Sequence, residues 1–143
     1  MFTMKRRVEF ADTDMAGIMH FANYFRFMEV AEHNFLRDRG LSVFLEWNGE
    51  TLSFPRVRCT CDYFKPARFQ DELTLEVKVD HLGRSSVRYV ITVRRGEEIL
   101  ARGETTAVLV RLRPDQTLES VPFPDPIRDK LLGRSESASE STD

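Results

Sequence analysis

Two carboxylates, a glycine and a histidine lie close together in the stretch EFADTDMAGIMHFANY, at residues 9–24. A carboxylate can attack a carbonyl carbon or take a proton from water. Free backbone N–H groups at the start of a helix can polarise a carbonyl oxygen and stabilise the oxyanion that forms during attack. Because a helix is predicted to follow, both groups would meet here, which would suit hydrolysis of an ester, thioester or amide.

The spacing of Asp12 and Asp14 allows one carboxylate to enter a cleft while the other fixes the turn. Gly17 would permit a positive φ or a close backbone approach. Taken alone, Asp-Thr-Asp before a helix is more often a capped turn than an active site. The motif therefore favours a site only together with support from elsewhere in the chain.

Apolar residues at spacings of three and four predict one largely buried helix from about Ala22 to Arg39. Asn23 is a possible N-terminal cap, and Gly40 is a natural stop. The predicted buried face consists of Tyr24, Met28, Ala31 and Phe35, and it is widened by Phe25, Phe27, Val30 and Leu36.

A period of two predicts strands in the rest of the chain. The segments are 57–63, 73–79, 87–93 and a longer one over 97–113 with a bend at Gly103, and a short or edge strand at residues 3–10 precedes them. A loop is expected near WNGE, and short turns join the later strands. These elements predict an α+β domain, in which a curved antiparallel sheet wraps around one long central helix.

Length and composition limit the possible classes of function. The 143 residues, with 41% hydrophobic residues and a net charge of −2, predict one globular domain over residues 1–133 and a polar, disordered tail over 134–143. Neither a membrane span nor a secretory signal is evident, so a cytoplasmic protein is expected, and the total charge implies no basic surface for nucleic acid. Cys59 and Cys61 are expected to be small buried residues in a reducing compartment, and no metal site or cofactor is expected.

The run DTDMAGIMHFANYFRFMEVAEHNFL resembles the opening motif of the hotdog-fold thioesterases of the 4-hydroxybenzoyl-CoA thioesterase type, in their Asp-dependent branch. That motif is Asp-x-Asp, then x-x-Gly, then Asn or Ser before Tyr at the helix start. The similarity continues through FPRVRCTCDYFKPARFQDELTLEVKVDHLGRSSVRYVITV and ARGETTAVLV, and it covers roughly residues 4 to 125. The resemblance implies a hotdog fold and an acyl-CoA thioesterase that releases a free acid and CoA.

The resemblance also implies residue roles. Asp14 matches the catalytic aspartate, which acts as nucleophile or as general base, and the backbone N–H of Phe21 matches the amide that polarises the thioester carbonyl. Family sites lie between protomers, so a homodimer is the expected minimum and a homotetramer is plausible. The expected substrate-binding set is Gly17, Ile18, His20, Asn23, Tyr24, Arg84, Ser85 and Ser86, with Arg84 meeting CoA phosphates or, equally, standing exposed in a plain hairpin turn.

Several alternatives stay open at this point. His20 lies one residue before the position at which some relatives carry a His, so a catalytic role for it is in doubt. Glu29 and Glu32 are assigned to structure or a solvated helix face, although another branch uses a helix glutamate. The acyl group is undetermined, since the aromatic residues Phe21, Tyr24, Phe25, Phe27, Phe54 and Phe64 would suit a tunnel or an ordinary core. Rival functions are a hydratase or dehydratase on the same fold and a non-catalytic acyl- or partner-binding module.

Overall fold

The structure is a computed structural model and describes residues 1–134. The predicted tail, apart from Arg134, lies outside the described residues. In chain order the strands are β1 (Phe2–Arg7), β2 (Phe44–Trp47), β3 (Glu50–Ser53), β4 (Arg56–Tyr63), β5 (Glu72–Leu82), β6 (Ser86–Arg95), β7 (Glu98–Val108), β8 (Val110–Leu112) and β9 (Leu118–Ser120). The α-helices are α1 (Asn23–Asp38) and α2 (Asp125–Leu131), and a 3-10 turn covers Phe10–Asp12.

Helix α1 confirms the periodicity of the sequence. The residues predicted for its inner face, Tyr24, Met28, Ala31 and Phe35, are all buried. The helix ends where expected, because Gly40 adopts a φ of 73° and its amide donates to the carbonyl of Arg37 at 3.0 Å. Helix α1 packs against β5 and β1, so the helix and the main sheet share one apolar core.

The main sheet is antiparallel and has the strand order β1-β5-β6-β7-β4. Strand β1 lies at one edge, as predicted. Strand β4 lies at the opposite edge, beside β7, although β5 follows it in the chain. The intervening segment 64–71 therefore crosses the end of the sheet beneath the start of α1. Its Ala67 is fully buried, and the Ala67 carbonyl accepts a hydrogen bond from the Met19 amide at 2.8 Å.

Strand β7 continues through Gly103, where a bend was predicted, without a break or a shift of register. Gly103 is needed for a close approach instead. A Cβ at this position would collide with the Sδ and Cε atoms of Met28 and lie 3.1 Å from the carbonyl oxygen of Thr60. The long predicted strand breaks at Leu109, where the chain leaves β7 and enters β8 of a second sheet.

The second sheet has the order β2-β3-β8-β9 and was not predicted. The expected loop near WNGE is the turn of the β2–β3 hairpin, with Asn48 at φ 49° and Gly49 at φ 80°. Asn-Gly favours such two-residue hairpin turns, since both residues tolerate positive φ. Helix α2 is a further unpredicted element, so the protein contains a second, shorter helix beside the long one.

Strand β4 corrects the expectation that its two cysteines are buried. Cys59 is exposed and Cys61 is half-buried, and both are free thiols. The neighbouring Val57 has an exposed fraction of 64%. Alternation predicted one buried face, but β4 is an edge strand and the single chain leaves that face uncovered.

Candidate active site

The loop between the 3-10 turn and α1 folds back on itself. The amide of Asp14 donates to the Ile18 carbonyl at 2.9 Å, and the amide of Gly17 donates to the Asp14 carbonyl at 3.0 Å. Gly17 adopts a φ of 80°, and a Cβ there would meet no atom within 4 Å. The turn therefore needs glycine for its backbone conformation and not for a close contact.

The two aspartates of this loop have different surroundings. The Oδ2 atom of Asp12 accepts a hydrogen bond from the Glu9 amide at 2.8 Å and fixes the 3-10 turn. Asp14 is exposed, and its Oδ1 atom accepts from the Ala16 amide at 2.8 Å. Within residues 1–134 the Oδ2 atom of Asp14 has no hydrogen-bond partner. One oxygen thus orients the Asp14 carboxylate while the other is free to react.

Helix α1 starts without a conventional side-chain cap, and the prediction of Asn23 as its cap is wrong. Its N-cap is Ala22, and Asn23 donates its side-chain Nδ2 to the Asp12 carbonyl at 2.8 Å. The Ala22 amide donates to the Nδ1 atom of His20 at 3.1 Å. The amide of Phe21 has no acceptor among the described residues, so this donor is available to a ligand.

Asp14 and Phe21 share a cleft of about 350 Å³. Its wall comes from three parts of the chain: the folded-back loop, the start of α1, and the end of β4 with the crossing segment. The lining residues are Asp14, Ile18, Met19, Phe21, Tyr24, Tyr63, Phe64, Lys65 and Pro66. Asp14, several aromatic rings and Phe21, whose amide is unpaired within residues 1–134, thus line one space.

Two tyrosines form the inner wall of the cleft. The rings of Tyr24 and Tyr63 meet edge to face with their centroids 5.0 Å apart. The Tyr24 hydroxyl accepts a hydrogen bond from the Ala67 amide at 3.3 Å, and the Tyr63 hydroxyl donates to the Phe21 carbonyl at 2.9 Å. Burial raises the pKa of Tyr63 to about 12 and also raises the pKa of Tyr24. Both hydroxyls therefore stay protonated near neutral pH.

The structure brings some of the expected substrate-binding residues together and leaves others apart. Ile18 and Tyr24 line the cleft. Gly17, His20 and Asn23 do not line it, but they fix the backbone of the loop and of the helix start that form its wall. Sequence reasoning missed Tyr63 and Lys65 as lining residues. Tyr63 was seen only as a strand position, and no local signal shows that the end of β4 reaches the start of α1.

The turn that carries Arg84, Ser85 and Ser86 does not line the cleft of the same chain. The Ser85 carbonyl accepts from the Leu109 amide at 2.7 Å, and the Arg84 carbonyl accepts from the Phe123 amide at 2.9 Å. These bonds anchor the β5–β6 turn to the chain around the second sheet. The side chain of Arg84 is exposed.

A second group of polar side chains lies on the other side of α1. Glu32 has an exposed fraction of 2%, and its Oε2 atom lies 3.1 Å from a guanidinium nitrogen of Arg56. Burial raises the pKa of Glu32. The nearby Arg56 acts in the opposite direction and offsets only part of this increase. The Oε2 atom of Glu29 lies 3.5 Å from another guanidinium nitrogen of the same Arg56, but Glu29 is exposed. It therefore belongs to the solvated helix face, one of the two roles expected for it. Glu32 is instead a buried structural carboxylate.

The aromatic residues divide between cleft and core. Phe21 and Phe64 line the cleft, Phe27 and Phe54 are buried in the core, and Phe25 borders a depression of about 170 Å³ beside Glu32. Among residues 1–134, no cluster of three or more His, Cys, Asp or Glu side chains is placed to hold a metal ion. None of the helices in that part of the chain is long and apolar enough to cross a membrane.

Comparison with known proteins gives consistent matches. Residues 8–131 match the model of the Thioesterase-like superfamily. The chain is 29% identical over 140 residues to a 1,4-dihydroxy-2-naphthoyl-CoA hydrolase of Thermosynechococcus vestitus, covering 97% of this chain and 94% of that protein. It is 34% identical over 86 residues to a 4-hydroxybenzoyl-CoA thioesterase of Pseudomonas, covering 59% and 61% of the two chains.

The fold matches as well. The crystal structure of a 1,4-dihydroxy-2-naphthoyl-CoA thioesterase from Synechocystis superposes with a TM-score of 0.78 at 26% identity, over 92% of this chain and 95% of that chain. The predicted hotdog-like fold of antiparallel sheet and helix is confirmed at that level. Since its relatives are hydrolases and thioesterases, the protein is a thioester-hydrolysing enzyme. The chain belongs to the Thioesterase-like superfamily.

Proposed function

We propose that the protein hydrolyses an acyl-CoA thioester to a free carboxylic acid and CoA, with Asp14 as the catalytic carboxylate. The observation that carries this proposal is the shared cleft, whose lining includes both Asp14 and Phe21. Within residues 1–134, one carboxylate oxygen of Asp14 and the amide of Phe21 have no hydrogen-bond partner. If the thioester carbonyl oxygen accepts a hydrogen bond from the Phe21 N–H, the carbonyl carbon would be open to attack. Preorganised donors of this kind are a large source of rate enhancement in acyl transfer.

Two chemical routes use these groups. In the first, the Asp14 carboxylate attacks the carbonyl carbon, the C–S bond breaks, CoA leaves as thiolate and takes up a proton, and water opens the mixed anhydride. In the second, Asp14 takes a proton from water as the water attacks the same carbon, and the tetrahedral intermediate then expels the thiolate. In both, negative charge develops on the oxygen that the Phe21 N–H binds, so one donor serves either route.

We propose an aromatic acyl group as the preferred substrate. The rings of Phe21, Tyr24, Tyr63 and Phe64 line the cleft, and aromatic pairs favour edge-to-face contacts such as the one between Tyr24 and Tyr63. The names of the relatives from Thermosynechococcus and Pseudomonas support this choice, since both describe aryl-CoA thioesters.

We further propose that the active unit is a homodimer formed along β4, with a homotetramer as the next assembly. The exposed edge of β4 carries unpaired backbone groups and an exposed Val57, which a second copy could cover by strand pairing. Arg84, Ser85 and Ser86 are kept as proposed CoA contacts. Because they lie outside the cleft of their own chain, they would have to approach the cleft of a second copy. With free Cys59 and Cys61, the proposed location is the reducing cytoplasm.

The proposal is tested by measuring thiol release from aromatic, short-chain and long-chain acyl-CoAs with wild type and folded Asp14→Asn. We expect hydrolysis of an aryl-CoA by wild type and a loss of about 10²- to 10⁴-fold in the variant. Equal cleavage by both proteins would overturn the role of Asp14. Hydration of an enoyl thioester without thiol release would favour a hydratase, and tight binding without turnover would favour a binding module.

A further inference from the structure

The peptide bond between Phe21 and Ala22 is held at both of its polar ends by side chains. Its N–H donates to the Nδ1 atom of His20 at 3.1 Å, and its carbonyl oxygen accepts from the Tyr63 hydroxyl at 2.9 Å. His20 belongs to the folded-back loop, whereas Tyr63 is the last residue of β4, 42 positions away from Phe21. One peptide plane is thus fixed from two separate parts of the molecule.

This arrangement determines which of the amides at residues 21–23 is left without an acceptor. The Ala22 N–H is taken by His20, and the Asn23 N–H donates to the His20 carbonyl at 2.9 Å. Of the three consecutive amides at 21–23, only that of Phe21 lacks an acceptor within the described part of the chain. His20 therefore occupies the Ala22 donor and leaves Phe21 with the unpaired amide of this turn.

Ring contacts restrict both side chains further. The imidazole of His20 stacks on the Phe21 ring, with centroids 4.7 Å apart and planes inclined by 25°. The ring of Tyr63 is fixed edge to face against Tyr24. Because the pKa of Tyr63 is raised to about 12 by burial, its hydroxyl remains a donor throughout the usual assay range.

We propose that His20 and Tyr63 are positioning residues that clamp the Phe21–Ala22 peptide. Because this fixes the backbone of Phe21, it also orients the preceding His20–Phe21 peptide, which carries the Phe21 N–H, toward the thioester carbonyl. The inference rests on the proposed function, because it assigns a role in the same reaction. Neither residue touches the reacting atoms in this role. Each acts through the backbone, and a displaced donor lowers the rate without removing the carboxylate.

The kinetic test compares Tyr63→Phe, His20→Phe and His20→Asn on the aryl-CoA that wild type cleaves. Tyr63→Phe removes only the hydroxyl, and His20→Phe keeps a ring to stack on Phe21 but has no acceptor. His20→Asn restores an acceptor, since its Oδ1 occupies the position of Nδ1. We expect kcat to fall about 10- to 100-fold in the first two variants with little change in KM, and to recover in His20→Asn.

A matched control and a double variant sharpen the kinetic test. Tyr89→Phe removes a buried hydroxyl that has no hydrogen-bond partner within residues 1–134 and lies outside the cleft, so its kcat should equal that of wild type. Combining Tyr63→Phe with His20→Phe should cost less than the product of the single effects, because both release the same peptide. A wild-type kcat for Tyr63→Phe, or equal kcat values for His20→Phe and His20→Asn, would overturn the inference.

Amide hydrogen exchange, followed by NMR, tests the clamp independently of activity. The Ala22 amide should be protected in wild type and His20→Asn and should exchange faster in His20→Phe. Unchanged exchange in His20→Phe would refute the clamp even in an active enzyme. If wild type cleaves no acyl-CoA, or Asp14→Asn cleaves as fast as wild type, the proposed function fails while the exchange result still decides whether the peptide is held.

Discussion

Asp14, in the loop that precedes α1, and Glu32, within α1, are carboxylates with opposite surroundings. Asp14 is exposed and lies before the N-terminal end of α1. One of its oxygens accepts a backbone N–H, and the other has no hydrogen-bond partner within residues 1–134. Glu32 lies two turns further along, buried between α1 and the sheet beside Arg56 and Thr105. Burial raises the pKa of Glu32.

The raised pKa of Glu32 does not mark it as the reactive group. Perturbation by burial marks places where water is excluded, and Arg56 of β4 and Thr105 of β7 lie beside Glu32. The depression there measures only about 170 Å³, against about 350 Å³ for the cleft at Asp14. Asp14 has room, a neighbouring free amide and an aromatic wall. Geometry and access therefore identify the candidate catalytic carboxylate, and the following changes test that distinction from the largest expected effect to the smallest.

The largest effect is expected from exchanging the two carboxylates for amides one at a time. Asp14→Asn should lower kcat by about 10²- to 10⁴-fold while changing the free energy of unfolding by no more than about 0.5 kcal/mol, because its Oδ1 can still accept from Ala16. Glu32→Gln should retain kcat. Thiol-release kinetics and urea unfolding on both variants check this. A large loss of activity in Glu32→Gln would reverse the assignment.

The buried region should respond more strongly to added volume than the open one. Gly103→Ala places a methyl group against Met28 and near the carbonyl of Thr60, and we expect it to lower the free energy of unfolding by about 1–3 kcal/mol. Denaturant unfolding measures the loss. In a Met28→Ala background the same change should cost less, since the colliding side chain is absent. An equal cost in both backgrounds would mean that Met28 is not the obstacle.

Glu32 should make the free energy of unfolding depend on pH. A raised pKa means that the folded state holds the proton more tightly than the unfolded state does, so wild type loses stability as pH rises above the ordinary glutamate value of 4.5 until the folded group has ionised. Glu32→Gln should lack this loss and be the more stable protein at pH 7. Thermal unfolding across pH 4–8 measures both. A more stable wild type at pH 7 would show that pairing with Arg56 outweighs desolvation.

The smallest effect is expected for Glu29, the exposed carboxylate that also pairs with Arg56. Glu29→Gln removes an ion pair at 3.5 Å whose carboxylate is half in solvent, and it should change the free energy of unfolding by less than about 0.5 kcal/mol. The measurement is the same unfolding titration that is used for Glu32→Gln. A cost as large as that of a buried substitution would remove the contrast between the two glutamates.

Local patterns predicted the elements, and long-range pairing determined what they built. The helix at Tyr24–Phe35 and the alternation of β5, β6 and β7 could be read from periodicity, because burial of one face leaves a repeat in the sequence. The β2–β3 hairpin was missed although Asn48-Gly49 marked its turn. The position of β4 beside β7 leaves no local trace, which is why the exposure of Cys59 was predicted wrongly.

The candidate site divides in the same way. Asp14, Gly17 and the free amide at Phe21 lie within one short stretch, so motif and resemblance pointed to them. Tyr63, Lys65 and Pro66 enter the cleft only because the chain crosses the end of the sheet after β4. Sequence reasoning could not reach them, since it assumed that β4 and β5 were neighbours joined by a turn.

The crossing segment also bears on how the chain assembles from the unfolded state. Strands β5, β6 and β7 form a meander of short sequence separation, which can pair early. The cleft needs the distant contacts of Met19 with Ala67 and of Phe21 with Tyr63, and closing such loops costs chain entropy before any contact offsets it. On refolding, we therefore expect β-sheet signal to appear first and thioesterase turnover to return only once the crossing segment has docked.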